Sequence, residues 1–160
     1  MKSLHLLLQR FTDAGLDFVV VGGFAGVLHG SSYVTDDLDI CAVLTSDNVA
    51  KLRTALADLH PVHRITHKKL SFLEHPPVGQ PVANLYLETD AGVVDVLGSI
   101  LGLGDFDALR RDAVEIPLFG RRCRVISLED LIRAKEAMGR EKDLLTAKEL
   151  RAIAAKRKQT

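Results

Sequence analysis

The segment VVVGGFAGVLHGSSYVTDDLDI, residues 19 to 40, joins an apolar run, a glycine pair and two aspartates one residue apart. In an extended strand, positions i and i+2 face the same side. Asp37 and Asp39 would therefore present both carboxylates together while Leu38 and Ile40 turn into the core. Two like charges that close repel unless a cation neutralises them or solvent screens them. Magnesium suits such a pair, because it takes hard oxygen ligands from one or two carboxylates and completes its shell with water and substrate phosphates. Gly22 and Gly23 supply the other half of that chemistry. Without side chains there, backbone N–H groups at the start of the next helix can approach a phosphate closely. Each signal is common alone, and an Asp-x-Asp pair is most often a solvated turn. The combination is stronger, because both can sit at the same end of neighbouring elements.

The elements that must position these residues can be read along the chain. Leu4, Leu7, Leu8 and Phe11 recur at helical spacing and predict an amphipathic helix over 3–14, closed by Gly15. DFVVVGG predicts a buried strand, FAGVLHG a short helix from the glycine break to Gly30, and DLDICAVL a second strand. Asp47 is a candidate cap for a helix carrying Val49, Leu52, Leu56 and Leu59 on one side. Residues 60–82, with His60, His63, His67 and His75 among prolines and lysines, predict a short strand and loops. VANLYLETDAGVVDVLGSI predicts a hairpin turning at Thr89–Gly92, and AVEIPLFGRRCRVISL a second one turning near Phe119-Gly120. Ser127 with Asp130 three residues on resembles a capping box, and EKDLLTAKELRAIAAKRK predicts a last helix. The order is that of an α/β (α+β) fold, with a mixed sheet flanked by helices and a C-terminal helical pair.

Bulk properties bound the rest. With 160 residues and 47% hydrophobic content, the chain predicts a single domain over 1–160, with 127–160 as its C-terminal helical element. The 21 basic and 21 acidic residues balance, which argues against a protein that coats nucleic acid through bulk charge. Residues 131–160 nevertheless hold nine Lys or Arg against four Asp or Glu, so a basic end faces a more acidic body. Cys41 and Cys123 lie far apart without CxxC spacing, and the N-terminal apolar run is too short for a signal peptide or a spanning helix. The expectation is a reduced, cytoplasmic, soluble protein with no membrane partner.

Gly22-Gly23, thirteen intervening residues and Asp37-Leu38-Asp39-Ile40 resemble the signature of the nucleotidyltransferase fold superfamily, of the DNA polymerase beta type. That resemblance implies a glycine pair holding an NTP triphosphate and aspartates binding two Mg²⁺ ions, with a third carboxylate from a later strand. Asp95, a lone acid in GVVDVLGSI, matches the third position. GFAGVLHG with TDDLDI, and VISLEDLIRAKEAMGREKDLLTAKEL, are similar to small prokaryotic nucleotidyltransferase-like proteins related to AbiE-type toxins. The catalytic and metal set implied is Asp37, Asp39 and Asp95; the nucleotide-binding set is Gly22, Gly23, Thr35, Lys135, Arg140, Lys142 and Asp143. Helical spacing would put Lys135, Gly139 and Lys142 on one face. Two positions depart from the pattern: Tyr33 stands where many relatives have arginine, and Thr146 where many have aspartate.

The reaction implied is transfer of a nucleoside monophosphate from an NTP to a hydroxyl, with Asp95 placed to take the acceptor's proton. RNA or a protein is the acceptor class suggested by the short chain and its basic end, and a toxin–antitoxin partner is a further expectation. Two alternatives share the fold: a nucleotide- or partner-binding module without catalysis, and a small-molecule transferase acting on an antibiotic hydroxyl. A dinucleotide-binding reading fails because the glycines run G-G-x-x-G and the acids that follow are paired. No Gly-Lys-Ser/Thr is present for a P-loop, and the four histidines between 60 and 75 have neither cysteine nor HExxH beside them.

Overall fold

Residues 3–159 are described by the computed structural model; Met1, Lys2 and Thr160, the ends of the span read above as one domain, lie outside the described residues. The elements are α1 (Leu4–Asp13), β1 (Val19–Val21), α2 (Gly22–Leu28), β2 (Leu38–Cys41), α3 (Ser46–Leu56), β3 (Val62–His63), β4 (Asn84–Thr89) and β5 (Gly92–Leu97). They continue with β6 (Ser99–Ile100), β7 (Gly104–Asp105), α4 (Phe106–Asp112), β8 (Val114–Leu118), β9 (Arg121–Val125), α5 (Leu128–Met138) and α6 (Glu141–Lys158).

Seven strands form one mixed sheet in the order β3-β4-β5-β2-β1-β9-β8, and β6 and β7 form a separate ribbon. β1 pairs antiparallel with β2 and parallel with β9, and β2 runs parallel with β5. β1 is short and entirely apolar because both of its faces are covered: Val19, Val20 and Val21 are all buried. Beside it β2 alternates, sending Leu38 and Ile40 into the core with no exposed surface while Asp39 stays on the other face. β5 does the same with Val94 and Val96 inside and Asp95 partly exposed. The core of α1, α3 and these strands is one apolar cluster that includes Leu7, Phe11, Leu52 and Leu56. Among the described residues no helix is long and apolar enough to cross a membrane.

Both predicted hairpins form, β4–β5 through Asp90-Ala91 and β8–β9 through Phe119-Gly120, where both turn residues take positive φ. Ser127 caps α5 as expected, its Oγ accepting from the Asp130 N–H at 3.1 Å. Other expectations need correcting. The first strand is limited to residues 19–21, because Gly22 already opens α2. The cap of α3 is Thr45, whose side chain accepts from the Asn48 N–H, and Asp47 falls within the first turn. The ribbon β6–β7 and α4, which Asp105 caps through the Ala108 N–H, were not anticipated. α4 is too short to show a full apolar stripe, although Phe106 and Leu109 are buried one turn apart.

Gly139 separates α5 from α6 by taking the left-handed conformation, φ +71°, at the end of α5. Lys135 and Lys142 therefore stand on different helices, and the shared helical face expected for Lys135, Gly139 and Lys142 does not exist. Few residues of α6 are buried, and polar contacts fasten it to the body. Glu149 accepts from the Ser32 N–H (2.6 Å) and hydroxyl (2.8 Å), and Arg151 pairs with Glu136 of α5. Arg157 donates to the His29 carbonyl (3.0 Å) and lies 3.3 Å from His29 Nδ1, while His29 Nε2 donates to the Ile126 carbonyl (2.7 Å). Gly139→Ala would place a Cβ in ordinary contact with the Glu136 carbonyl oxygen, 3.8 Å away, but in a conformation that costs an L-residue about 1–2 kcal/mol. Its melting temperature should fall by roughly 2–4 °C per kcal/mol, read by thermal denaturation.

Candidate active site

The sheet register brings the acidic residues together. Asp39 and Asp95 are direct partners across the parallel pair β2–β5, so their side chains stand next to each other on one face. Val21 is the partner of Asp39 on β1, and Tyr86 the partner of Asp95 on β4. The row Tyr86, Asp95, Asp39 and Val21 thus crosses four strands on the face opposite the apolar core of β2 and β5. Asp37 immediately precedes β2 and is exposed.

The glycine pair touches this row. Gly22 takes φ +69°, and a Cβ there would lie 2.3 Å from Asp39 Oδ2. Both the backbone conformation and the carboxylate exclude any side chain at 22. Gly23 faces Thr35, whose Cβ would be 3.4 Å from an added methyl group, an ordinary contact. Thr35 also forms a turn, its hydroxyl accepting from the Asp37 N–H at 3.2 Å. Gly22 and Asp39, and Gly23 and Thr35, therefore lie against each other, with the Asp37 backbone bound to Thr35.

A cleft of about 320 Å³ opens beside them between the sheet and α5, lined by Gly22, Asp39, Tyr86, Lys135, Met138 and Arg140 among others. Burial, the charge on neighbouring Asp95 and, more weakly, that on Asp37 push the Asp39 carboxyl up to about 6, against the opposing pull of Lys135 and Arg64. Across the cleft Asp143 is buried and bound by Arg140 (2.6 and 3.3 Å), with Lys135 Nζ at 3.8 Å. The Arg140 guanidinium holds the Asp143 carboxyl below its ordinary range, against the effect of burial. Asp143 thus anchors Lys135 and Arg140 at the cleft. Lys142 is exposed and does not line the cleft. Tyr33 is half exposed, and Thr146 donates its hydroxyl to the Lys142 carbonyl one turn back.

Sequence reasoning overlooked Arg64. Its guanidinium donates to both oxygens of Asp95, from Nη2 at 2.5 Å and Nε at 3.2 Å, and lies 5.6 Å from the centre of the Tyr86 ring. The backbone N–H of Arg64 donates to the Tyr86 carbonyl at 3.0 Å, tying the arginine to β4. Nothing in HRITHKKL separates this cation from its neighbours; its place follows from the pairing of Val62 with Glu88 on β4. The histidines of the same stretch serve locally: His60 pairs with exposed Asp90, and His63 donates to the His75 carbonyl.

The donor set fits a hard divalent cation in its chemistry: oxygen ligands only, with the Asp39 carboxyl pushed up to about 6 by burial and by the charge of Asp95. Among the described residues no three His, Cys, Asp or Glu side chains are gathered closely enough to hold an ion. Asp95 is engaged by Arg64, and Asp37 is exposed to solvent.

No family model and no curated protein matches this chain. Solved structures do. The lincosamide antibiotic adenylyltransferase LnuA, in its lincomycin-bound crystal structure, superimposes with a TM-score of 0.63 at 18% identity, over 94% of this chain and 95% of that one. A protein of Thermotoga maritima described as a candidate nucleotidyltransferase gives 0.56 at 17%, over 91% and 88%. The antibiotic-resistance factor ANT(2'')-Ia, in its solution structure, gives 0.54 at 15%, over 98% and 90%. Among the described residues the seven-stranded mixed sheet and six helices share the fold of these solved structures.

Proposed function

We propose that this chain is a magnesium-dependent nucleotidyltransferase that moves a nucleoside monophosphate from an NTP to a hydroxyl acceptor. The observation that carries the reading is the pairing of Asp39 with Asp95 in adjacent strands, with Gly22 pressed against the Asp39 carboxylate at the edge of a cleft. A fold gains no stability from setting two carboxylates side by side, so their presence calls for a cationic ligand. That also weighs against the binding-module alternative.

Asp37, Asp39 and Asp95 would hold the magnesium, which when bound supplies charge to stabilise oxygens entering and leaving phosphorus. Gly22 and Gly23, with Thr35 behind them, would cradle the triphosphate at the start of α2. Lys135 and Arg140, held by Asp143, would meet its negative charge from the other wall of the cleft. Lys142, on the exposed side, would add only to the surrounding field. Asp95 would accept the proton of the acceptor hydroxyl.

The acceptor has two readings. RNA or protein, within a toxin–antitoxin pair, is suggested by the basic C-terminal element and by the resemblance to AbiE-related proteins. A small molecule is favoured by the cleft, whose wall includes Leu97, Ile100, Leu131 and Met138, and by a neighbour of nearly matching extent whose structure carries lincomycin. The small acceptor is the stronger reading. Incubation with Mg²⁺ and each α-labelled NTP, with total RNA, lysate protein, lincomycin or tobramycin in separate arms, tests both. Label should appear on one acceptor class and fall at least 100-fold in Asp39→Asn and Asp95→Asn. Unlabelled acceptors in every arm, together with no Mg²⁺-dependent NTP binding, would contradict the transferase.

Two further outcomes follow from the geometry. Gly22→Ala drives a methyl group into Asp39 and should abolish transfer, with thermal destabilisation in the same protein. Asp39 keeps its proton to about 6 in the fold and only to about 3.8 when unfolded. This group therefore favours the metal-free fold most at low pH, and the benefit is lost as pH rises through 6, by about 3 kcal/mol. Asp39→Asn removes that penalty, so in EDTA at pH 8 it should melt above the wild type while losing activity. A lower melting temperature would mean that the Asp39 charge supports the fold.

A further inference from the structure

Arg64 places a cation where the proposed site would receive one. Its guanidinium covers both oxygens of Asp95 in a two-pronged contact, against the face of Tyr86, a residue that lines the cleft. Asp95 is largely buried, with 15% of its side chain accessible, whereas the arginine side chain is 33% accessible and reaches the site from the solvent side. Its charge also acts on Asp37 and Asp39, whose carboxylates hold its proton more firmly after the dominant effect of Asp95. A divalent cation cannot take an Asp95 oxygen while both oxygens accept from the guanidinium.

We propose that Arg64 is an exchangeable internal cation. It neutralises Asp95 while the site holds no metal, and on arrival of the metal–nucleotide it yields Asp95 and pairs with the nucleotide's phosphates. The proposal rests on the nucleotidyltransferase reading. Carboxylate and phosphate present the same spacing of oxygens to a guanidinium fork, so the exchange swaps one charge-assisted pair for another. The Tyr86 ring gives the guanidinium a surface to rest on in both positions, and the bond from the Arg64 N–H to the Tyr86 carbonyl keeps its Cα fixed while the side chain moves. Arg64 is then a nucleotide-binding residue and a competitor of the metal.

The test compares wild type, Arg64→Gln, Arg64→Lys and Asp39→Asn by Mn²⁺ titration followed by electron paramagnetic resonance, and by calorimetric titration with Mg²⁺ and a non-hydrolysable ATP analogue. Arg64→Gln should bind Mn²⁺ alone at least tenfold more tightly than wild type and the Mg²⁺–nucleotide at least fivefold more weakly. Arg64→Lys, which keeps the charge and loses the fork, should shift both affinities in the same directions by less, and it decides the matter if the glutamine variant fails to fold. Unchanged or weaker Mn²⁺ binding in the Arg64 variants would overturn the proposal, and so would tighter Mn²⁺ binding with unchanged nucleotide affinity. Asp39→Asn separates this failure from that of the underlying reading. Mn²⁺ binding lost in Asp39→Asn but indifferent to Arg64 sinks the exchange alone, whereas Mn²⁺ binding that survives Asp39→Asn sinks both.

Discussion

Two carboxylates on neighbouring parallel strands, with a third just before one of them, set the terms for everything around the cleft. The backbone hydrogen bonds of β2 and β5 fix Asp39 beside Asp95, and a one-residue slip would send both into the apolar core that Leu38, Ile40, Val94 and Val96 occupy. The register that buries the core is thus the register that gathers the acids. Their mutual repulsion must be met by cations, and the chain sends them from two directions: Arg64 from the β3 side and Lys135 from α5. Lys135 and Arg140 are in turn held by buried Asp143 at the start of α6, so the charge of the helical wall is organised by a carboxylate within it.

The helical pair owes its position to the same economy. α6 buries little apolar surface, and ion pairs and hydrogen bonds from Glu149, Arg151 and Arg157 tie it to α5, to the loop after α2 and to His29. Those contacts fix the far wall of the cleft relative to the α2 end of the site. Leu150 joins the buried core, and Ile153 and Ala154 pack against it, so apolar contact adds to these polar ties.

What was legible in the sequence was local. Period-two alternation sets Leu38 and Ile40 in the core and Asp39 on the other face, and the left-handed requirement of Gly22 shows up as glycine because no other residue fits. Asp95 stood out as the one acid in an apolar strand, and the turns announced themselves at Asp90-Ala91 and Phe119-Gly120. The rest was non-local or too short. Arg64 is one cation among several, and only the pairing of β3 with β4 selects it. α4 has a cap and two buried residues, too few turns to display a period. The shared face read for Lys135 and Lys142 conflicts with the separate last helix read from Glu141, and the left-handed Gly139 divides the two helices.

The most direct measurement is anomalous diffraction from crystals soaked with Mn²⁺ and a non-hydrolysable NTP analogue. The account predicts a manganese peak within ligand distance of Asp39 and Asp95, with the triphosphate running from it toward Gly22 and Gly23. A nucleotide bound without metal near these carboxylates, or crystals that take up neither, would contradict it.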